Sequence, residues 1–205
     1  MGLSKGDSSH LQNRSLADWR LPAAAVGIAG VFALFGDAGR SSLSFYRPAL
    51  DGGEFWRLLT CHFVHLGVSH LLLNVLGLLL VWYLIASSLS QAQWLFVTLL
   101  VIVGIDLGLW FLEPQLLWYV GLSGLLHGLL AAGIVAGFRS GRMDVWILGL
   151  ALASKLVYEQ LVGPLPGSEQ STGGAVIVAS HLYGAVAGLV AAGLVMIRVR
   201  RPASI

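Results

Sequence analysis

Charge is what this chain has least of. Lysine, arginine, aspartate and glutamate make up 11% of its 205 residues, and 57% are hydrophobic. Soluble domains carry about 25% charged residues. With a mean hydropathy of +0.81, a soluble globular domain is excluded and a membrane protein remains. The net charge of +2 is too small to attract nucleic acid. Cysteine is nearly absent. Cys61 stands alone, so no intrachain disulfide forms and the redox compartment stays open. No internal repeat or low-complexity tract is evident. The polar N-terminal stretch, Met1 to Arg20, has no apolar run followed by a small-residue cleavage site, and reads as a short tail.

Long apolar runs fill the rest. A bilayer crossing takes roughly 20 apolar residues. Six runs are expected to span: Leu21 to Phe35, Gly67 to Ala86, Trp94 to Leu112, Gly121 to Phe138, Met143 to Val162 and Ala175 to Ile197. Gly36 to Phe63 is polar, and Gly163 to Gly174, rich in proline and glycine, reads as a loop. The expected architecture is all-α: a cytoplasmic tail over 1–20, a six-span membrane domain over 21–197 and a basic tail over 198–205.

Basic residues set the orientation. With six spans, one side holds Lys5, Arg14, Arg20, Arg139, Arg142, Arg198, Arg200 and Arg201. The other holds Arg40, Arg47 and Arg57, and Lys155 lies inside the fifth span. Both termini are therefore expected in the cytoplasm. Spans two, four and six then run inward, so residues near their starts share the outer half of the membrane.

Four polar residues occupy such positions: His70, Asn74, Ser123 and His181. Ionisable groups inside a membrane are costly and mark function by default. A serine hydroxyl becomes a nucleophile when a base takes its proton. Two bases compete. His127 lies four residues after Ser123, one turn deeper on the same helix, an awkward geometry for proton transfer. His181 has Gly184 and Gly188 on its own face, while Gly121, Gly124 and Gly128 surround Ser123. Two glycine-lined faces could bring Ser123 and His181 to hydrogen-bond distance; read blandly, the glycines only pack helices. His70 and Asn74, four apart on one face, could donate to an oxyanion, or simply bond neighbouring carbonyls. The N–H of Ser123, at a helix start, would be a third donor.

These motifs resemble the rhomboid intramembrane serine proteases. Gly121-Leu122-Ser123-Gly124 is similar to their GxSG motif. The stretch from His181 through Gly184 to Gly188 is similar to HxxGxxxG, and His65, His70 and Asn74 fit HxxxxHxxxN. Glu54-Phe55-Trp56-Arg57 resembles the Trp-Arg region of the first outer loop. The resemblance runs from about Glu54 to Gly188. It implies Ser123 as nucleophile, His181 as general base, His70 with Asn74 at the oxyanion, and a dyad without an acidic third member. It implies no cofactor, and transmembrane proteins as substrates. Many rhomboids carry a tyrosine four residues after the serine, stacked on the catalytic histidine; here that place holds His127. This variant and the minimal length resemble the rhombosortase subfamily. That implies clients with C-terminal Gly-Gly sorting tails, in a bacterial inner membrane, with the site opening to the periplasm.

Other readings stay open. A metal site is not expected, because the spacings of His62, His65 and His70 do not set them on one helix face. Asp106 either orients a histidine or bonds backbone. Lys155 and Glu159, four apart, pair or reach toward the surface, or meet a substrate tail. After acylation, the ester on Ser123 could pass to water or to an amine such as a lipid headgroup. A non-catalytic binder of membrane clients and a small channel are the competing classes. The oligomeric state is not legible.

Overall fold

A computed structural model of the chain describes residues 19–139 and 141–200. Lys5, Arg14 and Arg201, used above for orientation, lie outside the described residues, as does most of both expected tails. The described chain is helical: α1 (Arg20–Leu34), α2 (Gly36–Leu43), α3 (Arg47–Asp51), α4 (Trp56–Thr60), α5 (Val68–Ile85), α6 (Gln91–Phe111), α7 (Ser123–Arg139), α8 (Asp144–Leu161), α9 (Ser168–Thr172) and α10 (Val178–Arg200). Two short strands, β1 (Phe45–Tyr46) and β2 (Trp118–Tyr119), pair antiparallel with Phe45 opposite Tyr119.

Each expected span coincides with a helix, but among the described residues only α5, α6 and α10 are alone long and apolar enough to cross a membrane. The pair α1 and α2, bent by 114°, makes a fourth candidate. The other two fall short for different physical reasons. Helix α7 has 17 residues and meets α5, α6, α8 and α10. Packed among helices, it carries glycine and alanine where a lipid-facing helix carries leucine. Helix α8 places Asp144, Lys155 and Glu159 within its 18 residues. The chain is an integral membrane protein, with Leu72, Leu76 and Leu80 of α5 and Leu95, Leu99 and Val103 of α6 turned outward.

Arginines tie down the segment that the sequence marks only as polar. Arg47 donates to the carbonyls of Leu109, Trp110, Glu113 and Leu116 at 2.8–3.2 Å. It thereby satisfies two orphan acceptors in the last turn of α6 and two carbonyls just beyond it. Arg57 pairs with Glu54 at 2.7 Å and donates to the carbonyls of Ser41 and Ser44. At the opposite end of the bundle, Arg142 donates to the Leu84 carbonyl at 2.9 Å, closing the end of α5. A capping box between Ser90 and Gln93 starts α6.

The tightest packing joins α7 to α10. A Cβ built on Gly184 would fall on the carbonyl oxygen of Gly124, and one on Gly188 would fall on that of Gly128. The two backbones touch only because side chains are missing on both. This seam fixes the register between the serine and histidine helices.

Candidate active site

Ser123 is the first residue of α7, delivered there by an unusual backbone. The strand pair β1–β2 and a hydrogen bond from Gly121 N–H to the Cys61 carbonyl, 3.0 Å, hold the approach to the helix. Gly121 has φ +120°, where a side chain is strained. The buried Tyr119 hydroxyl donates to the Gly121 carbonyl at 2.8 Å. Burial pushes that phenol up from its usual range, so it remains a donor.

Opposite Ser123 stands His181, 4% exposed, one turn into α10. Its Nε2 lies 3.0 Å from Ser123 Oγ. Its ring stacks on that of His127 with centroids 4.2 Å apart and planes within 13°. His127 Nδ1 lies 2.7 Å from the Ser123 backbone carbonyl. His127 thus turns an edge to the backbone and a face to His181, and of the two rings it is His181 that presents a nitrogen to Ser123 Oγ.

His70 and Asn74 line the same cavity, of about 200 Å³, together with Ser123, His127 and His181. The Leu66 N–H donates to His70 Nδ1 at 3.3 Å. Nδ1 is therefore the acceptor, and the ring proton sits on Nε2. A Cβ on Gly121 would lie 3.0 Å from that Nε2 and 3.9 Å from Asn74 Nδ2, so both donors face the turn before Ser123. Asn74 also donates one amide hydrogen to the His70 carbonyl at 3.2 Å.

The sequence reading missed one arrangement. Glu159 of α8, 3% exposed, accepts from His181 Nδ1 at 2.9 Å. Lys155 reaches the other oxygen of the same carboxylate at 2.5 Å and lies 3.5 Å from His181 Nδ1. The i, i+4 spacing signalled the Lys155–Glu159 pair but not its contact with another helix. Asp106 does not reach His181. It meets His62 Nε2 at 3.1 Å instead.

His62, His65 and His70 do not converge on one point. His62 faces Asp106, while His65 packs edge-on against His70 with centroids 5.0 Å apart. Burial first, and then His70, pull the His65 imidazole down to about 4. By donor type, two groups among the described residues could ligate a cation: Cys61 with His62 and Asp106, and His127 with Glu159 and His181, each within 4.8 Å. In the second, hydrogen bonds to Ser123 and between Glu159 and His181 already engage the ligand atoms.

A helical membrane protein with a serine and a histidine in contact beneath one end, beside two amide and imidazole donors, is the class these features define. Residues 52–198 match the Rhomboid domain, well over half of the chain, and the protein belongs to the rhomboid family. It is also 33% identical over 91 residues to "Putative rhomboid protease YdcA" of Bacillus subtilis (strain 168). That similarity covers 44% of this chain and 45% of the relative, so the chain matches less than half of its length.

Proposed function

We propose that this protein is an intramembrane serine endopeptidase in which Ser123 is the nucleophile and His181 the general base. The observation that carries this reading is the 3.0 Å contact between Ser123 Oγ and His181 Nε2 inside a cavity shared with His70 and Asn74. Oγ attacks the scissile carbonyl carbon as its proton moves to Nε2. The carbonyl oxygen gains the charge and accepts from His70 Nε2–H, Asn74 Nδ2–H and the Ser123 N–H. Collapse breaks the C–N bond, and the Nε2 proton leaves with the amine. Water then repeats the sequence on the acyl ester and releases a carboxylic acid. The stack of His127 on His181 supports a ring held in one plane.

The catalytic domain is read as a six-span bundle over 21–197, with α7 and α8 as its fourth and fifth crossings. Both termini are cytoplasmic, and the site opens to the periplasm of a bacterial inner membrane. The substrate reading is a rhombosortase-like one: a C-terminal tail of Gly-Gly, an apolar helix and a basic end. Transfer of the acyl group to an amine, in place of water, uses the same nucleophile, base and donors.

The test is reconstitution of the full chain in liposomes with such a client. Wild type cuts; Ser123→Ala, folded by the same thermal midpoint, does not. A Ser123→Ala protein that still cuts overturns the reading. Mass spectrometry of the new client C-terminus separates hydrolysis, which leaves a free carboxylate, from transfer, which adds a headgroup mass.

A further inference from the structure

We infer that Glu159 is a positioning residue for His181, so that the site works as a Ser123–His181–Glu159 triad whose carboxylate is held by Lys155. The inference rests on the protease reading and departs from the two-residue site that the sequence resemblance implies.

The argument begins with the imidazole. A neutral histidine has one N–H and one lone pair, and only the lone pair on Nε2 can accept the Ser123 proton. The partner of Nδ1 therefore decides whether the ring is competent. Glu159 Oε2 lies 2.9 Å from Nδ1 and is an acceptor. It fixes the proton on Nδ1 and the lone pair on Nε2, facing Ser123 Oγ at 3.0 Å. The other neighbour of Nδ1 has the opposite chemistry. Lys155 Nζ, 3.5 Å away, can only donate. Without Glu159 the ammonium is the nearest partner. It would draw the lone pair to Nδ1 and leave a hydrogen on Nε2, aimed at the serine it should deprotonate.

Burial and charge agree with this assignment. The Glu159 side chain is 2% exposed and the Lys155 side chain 30%. A buried carboxylate without a counter-ion is expensive; Lys155, one turn before it on α8, supplies the charge and keeps contact with the surface. When His181 accepts the serine proton, the imidazolium forms against a carboxylate already in place. No proton passes to Glu159. The proton on Nε2 goes to the leaving amine, and the Nδ1 proton stays where it was.

Two measurements on the full-length protein test this. In the first, Glu159→Gln, which keeps size and shape, is compared with wild type and Glu159→Asp for client cleavage in liposomes. The expected result is a fall in kcat of at least about a hundredfold with KM nearly unchanged, and partial recovery in Glu159→Asp. In the second, ¹⁵N-histidine NMR reads the His181 tautomer in wild type, Glu159→Ala and Glu159→Ala/Lys155→Met. The proton is expected on Nδ1 in wild type and on Nε2 in Glu159→Ala, with partial return when Lys155 is also removed. A Glu159→Gln enzyme within about threefold of wild-type kcat, or a tautomer indifferent to Glu159, overturns the inference. If wild type does not cut, the protease reading fails by itself, and the tautomer measurement still decides the role of Glu159.

Discussion

At the scale of single residues, the site depends on positions where no side chain fits. Gly121 combines φ +120° with a Cβ position only 2.9 Å from His70 Cε1. Alanine there meets two separate penalties. The backbone is strained by roughly 1–3 kcal/mol, and the methyl group presses on the imidazole that faces the turn. Either the turn or His70 must move, and a donor shift of even 1 Å lowers the rate sharply. Gly121→Ala is thus expected to lower unfolding stability by about 1–3 kcal/mol. Its kcat should fall more than its KM rises, as read from denaturation in mixed micelles and steady-state cleavage. A variant with normal kcat would remove Gly121 and its His70 contact from the description of the site. His70 Nε2 owes its proton to one backbone N–H, that of Leu66, a dependence invisible in the motif itself.

At the scale of elements, the α7–α10 seam carries the geometry. Gly184 and Gly193 lie on the same helix and make a controlled comparison. A Cβ on Gly184 collides with the Gly124 carbonyl, while one on Gly193 meets nothing within 4 Å. Gly184→Ala is expected to cost roughly 1–3 kcal/mol by overpacking and to separate Ser123 from His181. Gly193→Ala is expected to be neutral or to stabilise by up to about 1 kcal/mol through helix propensity. Equal effects in the two variants would show that the seam is not tight. This approach was legible in advance, because glycines at spacings of three and four mark a face whatever the partner. The Glu159 contact was not. Its spacing from Lys155 describes a self-contained pair equally well, and the orientation of α8 comes from Val145 and Leu152 packing against Ala131, Ile134 and Ala185. The short helices α2, α3 and α4 were likewise illegible, since five to eight residues are too few for a periodic pattern to emerge.

For the whole molecule, charge and chemistry divide the two ends. The end that holds Ser123 also carries α3, the strand pair and α9. Its three arginines are committed: Arg40 to Asp37, Arg57 to Glu54, and Arg47 to four carbonyls. Arg47 and Arg57 act as internal staples, while Arg40 and the exposed Asp37 form an i, i+3 pair within α2. At the far end, Arg139 is exposed, and Arg142 divides its donors between Asp144 and the end of α5. The count of basic residues predicts that this far end faces the cytoplasm, an orientation that labelling can test. Cys61 is fully buried, so introduced cysteines can be read against a silent background. Exposed positions at the two ends are Asp51 and Gln170 near the site and Arg139 opposite. In intact spheroplasts a membrane-impermeant maleimide is expected to label Asp51→Cys and Gln170→Cys at once, and Arg139→Cys only after permeabilisation. The reverse pattern would turn the protein over and send its products to the cytoplasm. Labelling of Asp51→Cys and Arg139→Cys from one side would mean that an even number of crossings separates them, against the three expected from α5, α6 and α7.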